Sequence, residues 1–290
     1  ASSLRGGFRA EMASPLHLVV TDLDGTLLDH DSYSWEPARG VLSLLEQLRI
    51  PVVLATSKTR AEVLELREEL ANADPFIVEN GAAVLIPRGY FDRMPEGCSE
   101  RDGFWVREFS PPRSHWTAVL DALRERFAGC FEDFATAGDA GIAAMTGLSL
   151  ERAALANQRE YSEPVQWHGG GRELEGFLDA LRAAGAHVLR GGRFYSVGGD
   201  CDKGRAWRWL RDVYALAAGS TAVYDLGLGD GANDVPLLEV THRAVRIPAR
   251  SRPLPALERS EGVLAVEGEG PAAWASGVRE WLRERYADVT

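Results

Sequence analysis

The feature that most constrains this chain is a short apolar run, His17-Leu18-Val19-Val20-Thr21, that ends directly on Asp22-Leu23-Asp24-Gly25-Thr26. An uninterrupted apolar run of this length reads as a strand buried on both faces, so it delivers a carboxylate at its C-terminal end. The next segments alternate in kind. Pro37 suits a first helical turn, and Val41, Leu44, Leu45 and Leu48 recur at helical spacing. Pro51 to Thr56 is a second buried strand. Thr59 is an N-cap, Val63, Leu66 and Leu70 mark the next helix, and Phe76 to Asn80 is a third strand.

Strand, helix, strand, helix, strand predicts an α/β fold with a parallel sheet covered on both faces, where ligands bind beyond the carboxyl ends of the strands. The rhythm resumes late. Lys203 to Ala217 reads as a helix, Ala222 to Leu228 and Ala244 to Ile247 as strands, and Trp274, Val278 and Trp281 as one face of a closing helix. Between these halves lies a strand at Phe104 to Phe109, a helix through Leu120, Leu123 and Phe127, and another through Leu174, Phe177, Leu178 and Leu181. A hairpin then turns on Gly191-Gly192, a pair that tolerates positive φ. The economical organisation is a loose tail over residues 1–14, a core domain of 15–86 with 198–290, and an inserted α+β domain over 87–197.

A chain of 290 residues with 45% hydrophobic content can build about two cores. Its formal charge of −11, spread along the chain, argues against a footprint for nucleic acid or an anionic membrane surface. Any phosphate-bearing ligand must be captured locally. Cys98, Cys130 and Cys201 show no paired spacing, so neither a disulfide framework nor a zinc site is indicated and a reducing cytoplasm is the expected setting. No apolar stretch reaches membrane-spanning length. Nothing in the sequence reads the oligomeric state.

Two carboxylates two residues apart after a buried strand point at one place and invite a metal. An EF-hand loop starting at Asp22 requires Gly at its sixth position and Glu at its twelfth, where this chain has Leu27 and Tyr33, so calcium binding of that kind fails. A second acidic turn, Gly229-Asp230-Gly231-Ala232-Asn233-Asp234, comes after a later strand. Gly227, Gly229 and Ala232 match a dinucleotide fingerprint, but Asp230 stands where a pyrophosphate would lie and repels it.

Phosphoryl transfer unites the two motifs. An ionised aspartate attacks without a base, yet it needs positive charge to approach a phosphate dianion. Mg²⁺ held by one or two carboxylates supplies that charge, and Asp22 and Asp230 are its natural ligands. Lys203, in Asp202-Lys203-Gly204, adds a point charge for phosphate oxygens; the Thr56 hydroxyl and backbone N–H groups around Ser57 donate to the same oxygens. Asp24 is read as the acid and base, and Asn233 and Asp234 as groups that fix the metal site, Asp234 among its carboxylates and Asn233 on the substrate side. Lys58, Asn80 and Gly81 at strand ends are further candidates for substrate contact.

The motifs DLDGT, ATSK, DKG and GDGAND, in this order, resemble those of the haloacid dehalogenase-like hydrolases, which implies a Rossmann-like core with a mobile cap. Together with TDLDGTLLDHDSY, LATSKTRAEV, PFIVENGAA, TGLS, REYSEP and GGRFY, they resemble the mannosyl-3-phosphoglycerate phosphatases. The resemblance implies that Asp22 is nucleophile and metal ligand, that Asp24 is acid/base and a ligand through its backbone oxygen, that Thr56 and Lys203 bind phosphate, and that Asp230 binds metal. It also implies that the cap contributes Arg159, Glu163, Arg193 and the neighbouring Gly192 to the substrate, an Arg fork suiting a glycerate carboxylate and a Glu suiting sugar hydroxyls. Ser196, where some relatives have His, and Cys201 depart from the pattern and leave the hexose open. The expected activity is hydrolysis of mannosyl- or glucosyl-3-phosphoglycerate. The alternatives are a phosphatase of another sugar phosphate, a phosphohexomutase-type phosphotransferase, and a non-catalytic sugar-phosphate binding protein.

Overall fold

A computed structural model describes residues 15–285 apart from 192, 221 and 250–252, so the expected loose tail over 1–14 lies outside the described residues. The first half runs β1 (Leu16–Thr21), α1 (Arg39–Gln47), β2 (Val52–Ala55), α2 (Arg60–Glu69), β3 (Phe76–Val78), β4 (Ala83–Pro87), β5 (Ser99–Arg101) and β6 (Phe104–Glu108). Next come α3 (Arg113–Leu123), β7 (Phe131–Asp133), α4 (Phe134–Thr146), α5 (Leu150–Asn157), β8 (Glu163–Trp167), α6 (Gly171–Ala183), β9 (His187–Arg190) and β10 (Tyr195–Gly198). The chain closes with α7 (Lys203–Ala218), β11 (Val223–Gly229), α8 (Val235–Val240), β12 (Arg243–Arg246), β13 (Val263–Leu264) and α9 (Gly270–Arg285). Among the described residues no helix is long and apolar enough to cross a membrane.

The large sheet has the order β13-β12-β11-β1-β2-β3-β4-β6-β5. Strands β13 through β3 pair in parallel. Side chains alternate between two faces, both of them buried. Val19 and Leu54 pack with Val63, Trp274 and Trp281 on one face, while Leu18, Val20 and Val53 pack with Trp207, Leu210 and Tyr214 on the other. Each such Leu or Val, fully buried, contributes about 1.5–3 kcal/mol of transfer free energy. Strand order reverses between β1 and β11: the chain moves outward through β2 and β3 on one side, and through β12 and β13 on the other. That switch point opens a crevice at the carboxyl ends of β1 and β11.

The boundary expected near Pro87 needs correction. Strands β4, β6 and β5 continue the large sheet in antiparallel fashion, so Phe104 to Glu108 belongs to it and the insert begins after Glu108. The reversal is local: Glu79, Asn80 and Gly81 have φ of 48°, 59° and 92° and turn β3 back into β4. An apolar strand carries the same pattern whether it runs parallel or antiparallel, so the motif rhythm did not distinguish the two.

The inserted domain is a four-stranded antiparallel sheet, β7-β8-β10-β9. Trp116 and Leu120 of α3 and Phe177 and Leu181 of α6 pack on Val165 and Val197 of that sheet. Alternation sends Ser196, His187 and Leu189 to the opposite face, where they line a small cleft together with Glu79 and Asn80 of the large-sheet domain. The hairpin turn is longer than expected. Arg190 pairs with Tyr195, and Gly191 N–H donates to Phe194 O at 2.8 Å, so Arg193 sits in the connection rather than in a strand. Gly192 lies outside the described residues.

Candidate active site

Asp22 lies one residue beyond β1, and its N–H donates to Leu228 O of β11 at 2.9 Å. This bond places the Asp22 and Asp230 turns side by side at the switch point. Beyond Asp22 the chain folds into a tight loop in which Gly25 N–H donates to Leu28 O at 2.8 Å and Leu28 N–H to Leu23 O at 2.8 Å. Gly25 takes φ 78°, which a residue with a Cβ adopts at a cost. Thr26, buried in the same loop, donates to Asp230 Oδ1 at 3.3 Å and so links the two acidic turns.

Lys203 opens α7, whose N-cap Asp202 accepts from Arg205 N–H at 2.7 Å. Its ammonium is fully buried and lies 2.6 Å from both Asp22 Oδ1 and Asp234 Oδ1. Burial alone favours the neutral amine, but the charges of Asp22 and Asp234 outweigh it and hold the lysine above its ordinary value. Asp234 Oδ2 accepts from the N–H groups of Asp230 at 3.0 Å and Gly231 at 2.9 Å. Burial, followed by the Asp22 charge, pushes the Asp234 carboxyl up; the lysine opposes this. Asp234 is thus a brace with both oxygens engaged, which shapes the turn carrying Asp230.

Asp22, Asp230 and Asp234 each offer an oxygen, and these oxygens all lie within 4.8 Å of one another. Lys203 is shared between two of these carboxylates, and like charges gathered in a buried place cost free energy that a cation held among them offsets. Asp24 Oδ1 beside them is buried with no hydrogen-bond partner among the described residues. An all-oxygen, anionic, buried donor set fits a hard divalent cation.

The opposite wall comes from β2. Thr56, one residue beyond that strand, is buried, and its hydroxyl accepts from Lys58 N–H at 3.1 Å. Lys58 Nζ reaches Asp24 Oδ2 at 2.8 Å and Glu62 Oε1 at 3.9 Å. Burial lowers its affinity for a proton, while Asp24 and then Glu62 raise it, with a net upward shift. Glu62 also closes a reciprocal cap with Thr59, the residue expected as the N-cap of α2. Asn80 N–H donates to Thr56 O at 2.9 Å, and Asn80 Oδ1 accepts from Asn233 Nδ2 at 3.1 Å. At Gly81 a Cβ would stand 2.1 Å from Asp202 O, so only glycine lets the β3–β4 turn rest on the start of α7. Arg159 donates through Nη1 to Ser57 O at 2.9 Å.

The structure therefore brings together Asp22, Asp24, Thr56, Ser57, Lys58, Asn80, Gly81, Arg159, Lys203, Asp230, Asn233 and Asp234 through adjacent strand ends and direct bonds. It does not bring Glu163 or Arg193 to them. Glu163 is fully buried inside the inserted domain, where Arg113 donates to both its oxygens and Ala135 N–H donates to Oε1 at 2.8 Å. Burial pushes its carboxyl up and Arg113 opposes the rise. Arg193 is exposed and donates at 3.0 Å to Met145 O and to Thr146 O in the last turn of α4. Sequence reasoning gave no role to Thr26 or Glu79. Thr26 sits inside the acidic motif and was within reach of it, whereas a lone glutamate before Asn80-Gly81 carries no local signal.

The haloacid dehalogenase-like hydrolase family model matches residues 19–91, which take in the end of β1, the acidic loop, β2, β3 and β4. A glucosyl-3-phosphoglycerate/mannosyl-3-phosphoglycerate phosphatase of Methanococcoides burtonii is 35% identical over 271 residues, covering 92% of this chain and 97% of the relative. A solved protein of Thermoplasma acidophilum superposes with a TM-score of 0.64 at 17% identity, over 92% of this chain and 99% of that one. A haloalkanoate-superfamily phosphatase of Bacteroides thetaiotaomicron does so with a TM-score of 0.56 at 18% identity, over 83% and 87% of the two chains. At such identities the solved structures show a shared fold, and the M. burtonii relative sharpens it. The chain belongs to the haloacid dehalogenase-like hydrolases, within their mannosyl-3-phosphoglycerate phosphatase family of phosphoric monoester hydrolases.

Proposed function

We propose that this protein removes the phosphoryl group of mannosyl- or glucosyl-3-phosphoglycerate, the substrate pair named for its M. burtonii relative, through an aspartyl-phosphate on Asp22 with Mg²⁺ bound. The observation that carries this reading is the position of Asp22 at the switch point, with Lys203 at 2.6 Å and the oxygens of Asp230 and Asp234 within 4.8 Å. Asp22, Asp230 and the backbone oxygen of Asp24 are the groups that would hold the ion, with Asp234 bracing their loop. A bound magnesium ion supplies the positive charge that lets an anionic carboxylate meet a phosphate dianion.

The remaining steps belong to the chain. Lys203 fixes Asp22 Oδ1, which sets the carboxylate so that Oδ2 attacks phosphorus while the ester P–O bond breaks. Asp24 gives its proton to the departing alkoxide. It then takes a proton from the water that opens the aspartyl-phosphate, releasing inorganic phosphate and restoring Asp22. Thr56, with Ser57, Lys58, Asn80 and Asn233, lines the side where phosphate oxygens rest, and Arg159 offers a fork to the glycerate carboxylate. Three free cysteines support a reducing, cytoplasmic setting.

Phosphate release with and without Mg²⁺, measured on mannosyl-3-phosphoglycerate, glucosyl-3-phosphoglycerate and simple hexose phosphates, tests the proposal. Mg²⁺-dependent release favouring the two glycosides is expected. Preference for simple hexose phosphates, a requirement for an activating bisphosphate, or binding without release contradicts it.

A further inference from the structure

Residues 159–162 join α5 to β8 and by chain order belong to the inserted domain; Arg113 N–H of α3 donates to Glu160 O at 2.7 Å, yet most of their other bonds run to the large-sheet domain. Glu79 is 2% exposed and lies under this segment. Its Oε1 accepts from Glu160 N–H at 2.8 Å; its Oε2 accepts from Tyr161 N–H at 3.2 Å, Ser162 N–H at 2.8 Å and the Ser162 hydroxyl at 2.5 Å. Three successive backbone N–H groups thus converge on one buried carboxylate. Bonds to a charged acceptor in a poorly screened place are the strong ones.

The attachment is reinforced from several elements. Arg60 of α2 pairs with Glu160 at 3.2 Å. Arg101 of β5 donates to the Tyr161 hydroxyl at 2.6 Å, and that hydroxyl donates to Glu108 of β6 at 2.8 Å. Ser110, where the chain enters the insert, donates to Tyr161 O at 3.2 Å and accepts from Gly199 N–H, where the chain leaves it, at 3.0 Å. Two covalent crossings and one non-covalent anchor therefore meet at a single place.

Glu79 is itself fixed to the phosphate side of the site. It occupies left-handed backbone with φ 48°, as does Asn80 with φ 59°, conformations that persist in non-glycine residues only where the surroundings impose them. The imposing bonds are Glu79 N–H to Lys58 O at 3.0 Å and Asn80 N–H to Thr56 O at 2.9 Å. One turn thereby sets the end of β2, the Asn80–Asn233 contact and the anchor for residues 160–162. Arg159, next in line, falls against Ser57 O.

We propose that Glu79 is a positioning residue that pins residues 159–162 to the large-sheet domain, so that Arg159 stays on the phosphate-side wall however the rest of the inserted domain moves. The substrate-facing part of this inference rests on the proposed function, in which Arg159 meets the glycerate carboxylate. The pin itself does not depend on the substrate.

Two variants, Glu79→Ala and Glu79→Gln, are assayed with both glycosyl-3-phosphoglycerates and with p-nitrophenyl phosphate, which has no carboxylate for Arg159, while amide hydrogen exchange is followed at 159–163. Exchange at 160–162 is expected to quicken about 10²-fold in Glu79→Ala, with protection at 229–234 retained. KM for the glycoside substrate is expected to rise about 10-fold with kcat within about 3-fold, and p-nitrophenyl phosphate turnover to fall by less than about 3-fold. Glu79→Gln keeps an acceptor for the Ser162 donors and is expected to lie between wild type and Ala; it also carries the test if the Ala variant does not fold. Unchanged exchange at 160–162, or equal losses on both substrate types, overturns the proposal. If wild type releases no phosphate from either glycoside, the substrate reading fails, and the exchange measurement alone decides the pin.

Discussion

Two buried ion pairs, one in each domain, are built from similar parts and do different work. In the inserted domain Glu163 meets one guanidinium, from Arg113, which also donates to Asn157 O at 2.5 Å and Asn157 Oδ1 at 2.9 Å. Charges balance one to one and the carboxylate oxygens are engaged by Arg113 and Ala135, so the pair is a strut between α3, α4, α5 and β8. In the large-sheet domain Lys203 faces Asp22 and Asp234 at once, with Asp230 beside them. One ammonium there is shared by two carboxylates, and the group lies at the open ends of β1 and β11, the place where ligands bind in sheets of this kind. A buried ion pair by itself is weak grounds for assigning function. The sharing of one ammonium by two carboxylates and the place in the sheet set the proposed reactive cluster apart from the strut.

The comparison breaks most visibly at Asp22. Asp22→Asn keeps the shape and removes the attacking charge, so turnover is expected to fall by about 10⁴-fold or more. Circular dichroism and substrate binding should stay close to wild type; turnover within a few fold of wild type would dissolve the distinction. The strut is expected to fail in stability instead. Glu163→Ala leaves Arg113 without its buried partner and should cost about 3–5 kcal/mol. Denaturant unfolding reads this cost, and an unchanged midpoint would show that the pair is not a strut.

Arg159→Ala sharpens the line between chemistry and recognition. KM for the glycoside substrates is expected to rise about 10-fold while kcat changes little, as measured by steady-state phosphate release. An unchanged KM would remove Arg159 from the substrate. The smallest effect is expected at Arg193→Ala: loss of two exposed bonds to the end of α4 should lower stability by less than about 1 kcal/mol, with KM and kcat near wild type. A large KM change would return Arg193 to the site from which its contacts with Met145 and Thr146 separate it.

What was legible in the sequence was local. The strand before Asp22, the Thr59 N-cap and Lys203 at the start of α7 are each specified by neighbours within a few residues, and the structure has all of them. What was not legible depends on distant partners or on weak local signal. Glu79 meets residues 81 to 83 positions away. The continuation of the sheet through β4, β6 and β5 depends on pairings that an apolar pattern does not encode. Strand β7 has only three residues, and α4 is interrupted by Gly138 at φ 65°, so neither carries a full period of hydrophobicity. Glu163 and Arg193 were chosen from a motif likeness, which gave their chain positions and not their partners.

The direct test of the central claim is acid quenching of the wild-type protein during Mg²⁺-dependent turnover of a glycosyl-3-phosphoglycerate, with mass spectrometry of its peptides. A phosphoryl mass increment on the peptide containing Asp22, localised to that side chain and absent from Asp22→Asn, is the predicted result. Steady release of phosphate with no increment there, or with an increment on another residue, would contradict the account.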